Sequence, residues 1–434
     1  MAPRPARYPQ QDSSAGRYIY CITDFLHQLT EGRAGEFYEM LSARYAHQYK
    51  TTYKHQQPTG VVFTLSCRTR MIWTYDKTEE VVFWGCVSVL LAALLHVLGL
   101  CSWWTVFPTT WLLSGGASLI LSSLTVSSSG KAVLVTGCDT GFGNSFALIL
   151  DRLGFRVFAG CLHAGGEGAN HLRREGSSRL HVLQMDVTNQ EQLDKAAQEV
   201  KHLLPEGEVL WSLVNNAGLS AFGEVEWVPL NTYRKVAEVN VFGVISVTKT
   251  FLPLLRRARG RVVNMSSVAG TIGRGVMSPY NLTKFAIEGF SDCLRQEMMA
   301  WGVSVILVEP SNFSAATNIN AQQWISEQGD QMWGSMSEEV RADYGKDYFD
   351  TLVKFAKTQA NSGEKDMTSV LHAMTEAVTK RYPRVRYHAF DCYYFFKQKA
   401  VIHLPEWLSD LLYITRPPLR QLSQQKTTAQ TKLD

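Results

Sequence analysis

From Val81 to Gly130 the chain carries no Asp, Glu, Lys or Arg. Val81 to Cys101 is one uncharged apolar run, and about 20 such residues suffice for a helix to cross a bilayer. The next stretch, Trp103 to Leu124, is interrupted by Pro108 and Gly115-Gly116 and predicts a second span or a re-entrant piece. Trp103, Trp104 and Trp111 suit interfacial positions. The same two stretches also fit a pair of buried core helices. Two spans would leave both flanks on one side and one span would leave them opposed, and the flanking charges do not choose.

After Gly130 the period changes. The short run Ala132 to Val135 predicts a strand, and Ser145 to Leu150 predicts a helix. Gly154 leads into a second strand, Phe155 to Gly160, and the alternation continues as far as Val303 to Val308. Strands alternating with helices predict an α/β fold: a doubly wound parallel sheet of Rossmann type with helices on both faces. The tract Tyr393 to Phe396, followed by Lys397, Lys399, Ile402, Leu404, Trp407, Leu411 and Leu412, mixes aromatics with bases. It fits a membrane surface, a cover over a pocket, or a core-packed helix. Arg416 to Asp434 is polar, contains Pro417-Pro418, and predicts a disordered tail.

The 434 residues permit one large catalytic domain with additions, and 45% apolar residues are ample for a core. A net charge of +4, dispersed along the chain, does not point to nucleic acid. The eight cysteines form no Cys-x-x-Cys pair and read as reduced thiols; with the histidines scattered, no metal site is expected. Arg4 and Arg7 give the extreme N-terminus the basic look of a mitochondrial targeting segment. Asp12, Asp24, Glu31 and Glu36 dilute it, so an anchor facing the endoplasmic reticulum fits equally.

Candidate chemistry begins at Thr136 to Gly143. Gly137, Gly141 and Gly143 let the backbone turn sharply and approach a pyrophosphate, and the helix starting near Phe142 aims its amides at that charge. Further on, Ser267 precedes Tyr280 by thirteen residues, and Lys284 follows Tyr280 by four. Oxidising a secondary alcohol requires a base for its hydroxyl proton. A phenol of pKa about 10 is a poor one unless its anion is favoured. On a helix Lys284 shares a face with Tyr280, so its ammonium is expected to lower the phenol's pKa. Ser267 would hold the substrate oxygen. Alone, Tyr-x-x-x-Lys also fits an ordinary amphipathic pair.

With the glycine turn, these residues resemble the short-chain dehydrogenase/reductase family from about Lys131 to Ile414. Asn215-Asn216-Ala217-Gly218 is similar to the family's strand-end motif. The resemblance implies catalytic Asn240, Ser267, Tyr280 and Lys284, with Asn240 holding a water in a proton relay to the lysine. It gives Lys284 a bond to the nicotinamide ribose as well. Cofactor contacts would come from Gly137, Asp139, Gly141, Phe142, Gly143, Cys161, Asp186 (to the adenine), Asn215, Ala217, Gly218, Pro310 and Phe313, besides Tyr280 and Lys284. The family usually has Pro-Gly where this chain has Pro310-Ser311, and Ala315 stands where threonine is usual, leaving Ser314 and Thr317 as substitutes. The segment after the sixth strand, 318–364, would be the substrate lid. A homo-oligomer, dimer or tetramer, is the family's habit.

Within the family, Ala221 to Trp227, Ser278 to Phe285, Glu288 to Met298 and Glu309 to Thr317 resemble the membrane-bound D-3-hydroxybutyrate dehydrogenases. Arg179 to Thr188 and Val247 to Arg256 look as much like the type 2 hydroxysteroid dehydrogenases, whose branch includes retinol dehydrogenases. The resulting organisation is an unassigned extension at 1–80, a membrane segment at 81–125, a dehydrogenase domain at 130–415 and a tail at 416–434. At the end of the second strand stands Cys161 rather than an acid. No Arg or Lys occurs in the turn or just after that strand, and Asp139 would repel a phosphate, so NAD is the expected cofactor. The reaction expected is a secondary alcohol–ketone interconversion, D-3-hydroxybutyrate to acetoacetate, on a mitochondrial inner or endoplasmic reticulum membrane in contact with lipid. Arg274 is the candidate partner of the substrate carboxylate, with Ser267 and Tyr280 at the reacting oxygen. The alternatives are a 17-beta or 11-beta hydroxysteroid or retinol substrate, or a catalytically weak nucleotide-binding membrane protein.

Overall fold

The computed structural model describes residues 74–413 except 318, 320 and 321. The basic N-terminus, nearly all of the 1–80 extension and the 416–434 tail lie outside the described residues. The first elements are the helices α1 (Tyr75–Val97) and α2 (Trp103–Ser123), followed by β1 (Lys131–Thr136), α3 (Gly141–Arg152), β2 (Arg156–Cys161), α4 (Glu167–Glu175) and β3 (Leu180–Gln184). Then come α5 (Gln190–Leu203), β4 (Val209–Asn215), α6 (Leu230–Ala237), a π-helical turn (Glu238–Gly243), α7 (Val244–Ala258), β5 (Arg261–Met265), α8 (Ser278–Met298) and β6 (Ser304–Pro310). The remainder is α9 (Ser314–Thr317), α10 (Gln322–Ser335), α11 (Glu338–Tyr344), α12 (Lys346–Ala360), α13 (Thr368–Thr379), β7 (Arg386–Ala389), α14 (Cys392–His403) and α15 (Glu406–Tyr413).

The seven strands lie in the order β3-β2-β1-β4-β5-β6-β7, every neighbouring pair parallel. The expected doubly wound sheet is therefore present, one strand longer than the apolar runs predict. Successive strand residues face opposite sides. Val133 and Val135 join Phe146 and Leu150 of α3 and Met374 and Val378 of α13. Ala132 and Leu134 join Leu193 and Val200 of α5 and Phe251 and Leu255 of α7. Each fully buried Leu, Val or Phe contributes about 1.5–3 kcal/mol. The strand order reverses at β1, and ligands of such sheets bind outside the carboxyl ends there. The glycine turn, Asn215 to Gly218, Ser266-Ser267 and Pro310-Ser311 all follow those strand ends.

The two apolar stretches form an antiparallel hairpin. Trp111 Nε1 donates to the Val81 carbonyl at 3.0 Å, and the Ser118 hydroxyl bonds to the Glu80 carboxylate. Beyond their mutual contact the helices bury little: Val82, Phe83, Leu90, Leu94, Leu112 and Leu113 are exposed. At the base, the first turn of α1 docks on the sheet domain. Asp76 pairs with His388 at 2.6 Å, and Glu80 pairs with Arg384. Tyr75 stacks on Phe395 of α14 at 4.8 Å, and Lys399 meets Glu79 at 2.7 Å. The aromatic C-terminal tract is thus two helices, α14 wedged between hairpin and sheet and α15 following it. α14 buries Phe395 and Gln398 and exposes Ile402, and α15 exposes Trp407 and Leu411.

Candidate active site

Gly137 and Gly141 both adopt left-handed backbone, with φ of 68° and 61°. A Cβ on Gly137 would sit 2.7 Å from Ala217 Cα, and one on Gly143 would strike the Gly137 carbonyl and lie 2.6 Å from Asn216 Nδ2. Glycine is required by close approach as well as by φ. Thr136 Oγ1 accepts the amides of Asn216 and Ala217, both at 3.0 Å, locking the turn to the end of β4. Helix α3 begins at Gly141, and its N-cap Thr140 makes no side-chain capping bond. Its first-turn amides therefore point into the crevice, as a dinucleotide pyrophosphate requires. The residues present fit that cofactor.

Other predicted cofactor residues divide into crevice groups and packing groups. Asp139 turns its carboxylate to the end of β2, accepting the amides of Leu162 at 2.8 Å and His163 at 3.0 Å. Cys161 is fully buried, and its thiol is pushed up to about 12 by burial and then by Asp139. Asp186 accepts from the Thr188 amide and hydroxyl at 2.9 and 2.7 Å. Asn215 donates to Thr248 and Asn264, tying β4 to its neighbours, while Ala217 and Gly218 continue into the crevice wall. The Phe142 and Phe313 rings meet edge to face at 5.7 Å. Thr317 donates to the Phe313 carbonyl at 3.1 Å and lies over Gly141.

The residues expected to handle the proton lie close together. Pro279 in the first turn starts α8, where its missing N–H has no intrahelical partner to lose. Tyr280, Lys284 and Glu288 follow at four-residue steps along one stripe, and Ile287, Leu294 and Met298 are buried beside it on the same face. Asn281 Nδ2 clamps the preceding loop through the Ala269 and Ile272 carbonyls at 2.9 and 2.8 Å. Ser267 is buried, accepts the Ala269 amide at 3.1 Å and donates to the Pro310 carbonyl at 3.4 Å. Asn240 sits in the π-helical turn; its carboxamide holds both the Leu219 amide and carbonyl and donates to Thr283 at 3.0 Å.

The Tyr280–Lys284 pairing expected is not the contact seen in this structure. Burial raises the Tyr280 phenol to about 12, and the group that lowers it is the Ser267 hydroxyl hydrogen-bonded to it, not Lys284. The reason is orientation. Lys284 Nζ donates to the Met265 carbonyl at 2.8 Å and stands 5.5 Å from the centre of the Tyr280 ring. Burial lowers its own ammonium to about 8, against the pull of Glu288. The lysine is thus held on the Met265 carbonyl beside the phenol ring, with its ammonium disfavoured by burial.

Ser311 shows no strain. Among the described non-glycine residues only Arg259 and Val276 have left-handed backbone, and the Ser311 amide donates to the Ala389 carbonyl at 3.3 Å. Arg274 is exposed in the loop ahead of Tyr280, and α14 reaches that loop through Gln398, which donates to Thr271 at 2.8 Å. The segment expected as a lid, 318–364, carries helices α10 to α12 and packs on Phe222 to Val228. Trp227 is buried against Tyr344, Tyr348 and Phe349, and Tyr348 donates to Glu224 at 3.1 Å. Asp76, Glu79 and His388 offer ligand-type atoms within 4.8 Å of one another, but His388, Arg384 and Lys399 already neutralise the carboxylates.

A family model described as short chain dehydrogenase matches residues 131–326. Over 289 residues the chain is 49% identical to the mitochondrial D-beta-hydroxybutyrate dehydrogenase of Rattus norvegicus, covering 66% of this chain and 84% of that one. The chain belongs to the short-chain dehydrogenase/reductase family. The estradiol 17-beta-dehydrogenase 2 of Mus musculus is 42% identical over 260 residues, 59% of this dehydrogenase and 68% of the relative. A short-chain dehydrogenase structure from Streptomyces avermitilis superposes with a TM-score of 0.50 at 26% identity, covering 63% of this dehydrogenase and 92% of that chain. The protein is an oxidoreductase of the nicotinamide-dinucleotide type, acting on a small-molecule substrate. Residues of this dehydrogenase that the sequence did not single out are Asn281 and Thr283. Each is a polar group beside a recognised motif, and adjacency was the one signal available.

Proposed function

We propose that this chain is a membrane-anchored, NAD-dependent dehydrogenase interconverting D-3-hydroxybutyrate and acetoacetate. The observation that carries the substrate is the 49% identity to the rat D-beta-hydroxybutyrate dehydrogenase across 84% of that protein. Cationic groups beside the catalytic loop support it. Burial, and then neighbouring Arg274, lower the Lys397 ammonium, so α14 brings a second basic side chain towards Arg274. A hydroxy acid needs such a partner for its carboxylate, and a steroid does not.

In this reading Ser267 orients the substrate hydroxyl and Tyr280 removes its proton. Lys284 must leave the Met265 carbonyl and approach the phenol to offset the burial that disfavours phenolate. Asn240 and Thr283 fix the wall beside the lysine. Bound NAD supplies the acceptor for the hydride. The choice of NAD rests on Asp139, whose carboxylate at the end of β2 would repel a ribose phosphate. Arg173 does return to the following loop, but it donates to the Ala164 carbonyl at 2.6 Å and to Asn170 at 3.1 Å.

The hairpin is the proposed anchor. The uncharged part of α1 runs from Val81 to Val97, at the short end of the about 17–25 residues with which a helix crosses a bilayer. Its antiparallel return puts both flanks on one side, in the mitochondrial inner membrane or the endoplasmic reticulum. The domain limits remain 81–125 for the membrane segment and 130–415 for the dehydrogenase. Exposed Phe242, Leu282 and Phe285 offer an apolar face for a second copy.

The 42% identity to an estradiol dehydrogenase favours a hydroxysteroid as second reading. Membranes containing the protein, assayed with NAD against 3-hydroxybutyrate, oestradiol, a corticosteroid and retinol, separate the two. Oxidation of hydroxybutyrate alone is expected; oxidation of a steroid or retinol without it rejects the first reading.

A further inference from the structure

Behind the catalytic lysine lies a chain of charged groups that alcohol oxidation as described does not use. Glu288 is one turn beyond Lys284 on α8. A Cβ placed on Gly270 would lie 2.7 Å from Ser266 Oγ, 3.0 Å from the Lys284 carbonyl and 3.1 Å from Glu288 Cγ. The Glu288 stem is therefore packed under the strand end that carries Ser267. Its carboxylate accepts from Arg386 of β7 at 3.1 and 3.3 Å. Arg386 also bonds Asp292 at 2.8 Å and meets Glu309 of β6 at 3.4 Å. Glu309 is wholly buried, accepts from Gln398 of α14 at 3.0 Å and lies 3.7 Å from His388. His388 ends the chain on Asp76 of α1, with Lys399 and Glu79 alongside.

Two buried carboxyls thus face one guanidinium, and Arg386 also serves Asp292. We propose that Glu288 is a positioning residue that holds the positive charge on Lys284, and that Glu309 tunes it by competing with Glu288 for Arg386 and for one proton. The proposal concerns the lysine itself and does not depend on which alcohol the enzyme takes.

The charge states follow the geometry. Burial, and then Glu288, push the Glu309 carboxyl up to about 7, while His388, Gln398 and Arg386 pull it down. Burial raises Glu288 too, opposed by Ser266 and Arg386. Burial opposes the His388 charge, but the Asp76 hydrogen bond and Glu309 outweigh it and hold the imidazole above its usual range. At neutral pH the two carboxyls do not both ionise freely, because each ionisation makes the other harder. When Glu309 holds the proton, Glu288 is free to be an anion one turn from Lys284. When Glu309 is ionised, Glu288 is driven towards its neutral form and Lys284 loses its counter-charge.

The two carboxyls therefore act on Lys284 with opposite signs. Competitive acetylation of the full-length, cofactor-free protein with trace acetic anhydride across pH 6 to 11, read on the Lys284 peptide by mass spectrometry, reports the lysine's titration without substrate. Glu288→Gln should move its midpoint down by about one pH unit, and Glu309→Gln should move it up by a smaller amount. The alkaline limb of kcat/KM should move in the same two directions. Loss of packing alone would give no such opposition. If Glu309→Gln fails to fold by thermal melt, Asp292→Asn frees Arg386 for Glu288 from a half-exposed position and is expected to move the midpoint up. Shifts of the same sign in the two classes of variant, or no shift in Glu288→Gln, overturn the proposal.

Discussion

The Asp139 carboxylate accepts the backbone N–H of Leu162 at 2.8 Å, across 23 residues of sequence, and so places a negative charge from the glycine turn at the end of β2. Strand-end acids select NAD by binding the ribose and repelling a phosphate there. Asp139→Ser should therefore raise kcat/KM for NADP and lower it for NAD, narrowing their ratio about tenfold or more. Initial rates with both cofactors check this. An unchanged ratio would leave Cys161, Leu162 and His163 as the determinants.

Tyr280→Phe should reduce turnover by about 10²–10⁴-fold, the usual worth of a positioned acid/base group. NADH binding, followed by its fluorescence, should persist, because the glycine turn and α3 are untouched. Turnover near the starting level would remove Tyr280 from the proton transfer.

Glu309 links stability to pH. Its carboxyl titrates at about 7 in the fold and near its ordinary 4.5 when exposed. Between these values the folded chain holds the extra proton, so the Glu309 contribution is fully present below pH 4.5 and is lost as pH rises through 7. Glu309→Gln abolishes that loss. The variant's melting temperature relative to the parent should climb from pH 5 to pH 8, by an amount on the order of 2 kcal/mol of relative stability. A difference that stays flat over this range contradicts the assignment.

Val276 has φ of 60°, in the loop between Ser267 and Tyr280, and its carbonyl accepts the Gly223 amide at 2.9 Å. A β-branched residue is a genuine outlier there. Val276→Gly should remove about 1–3 kcal/mol of strain. After glycine's entropic cost of about 0.5–1 kcal/mol, a small net rise in melting temperature is expected. A clear fall would mean that Val276 contributes more through its contacts with the lid than it loses in backbone strain.

What was legible in the sequence was chemistry carried by neighbours in sequence. The glycine turn, Tyr280 with Lys284, and the apolar strands β1 to β6 each state themselves within a dozen residues. β7 escaped because Arg386 to Ala389 is four residues long and half polar, so no apolar run marks it. The direction of the Lys284 side chain escaped because it depends on the Met265 carbonyl, nineteen residues away. Hydropathy was ambiguous where burial is not. Leu230 to Ala258 is as long and apolar as a span, yet 39% of its window is buried, against 11% for α1. Its apolar side faces β4, whereas Val82, Phe83, Leu90 and Leu94 of α1 are exposed.

The lid leaves and re-enters the sheet domain at a single neck. Asn312 accepts the Glu364 amide at 2.9 Å, Ser362 accepts the Ala315 amide at 3.2 Å, and Gly363 is pressed against the Asn312 carbonyl. Among the described residues, those from Ser314 to Ser362 thus form a module whose two ends meet at one point. Exchanging it for the corresponding piece of a relative, together with its landing strip Phe222 to Val228, would keep the glycine turn itself and replace Thr317 over Gly141. Recombination at this neck is a route by which one scaffold could acquire a different alcohol while keeping its cofactor.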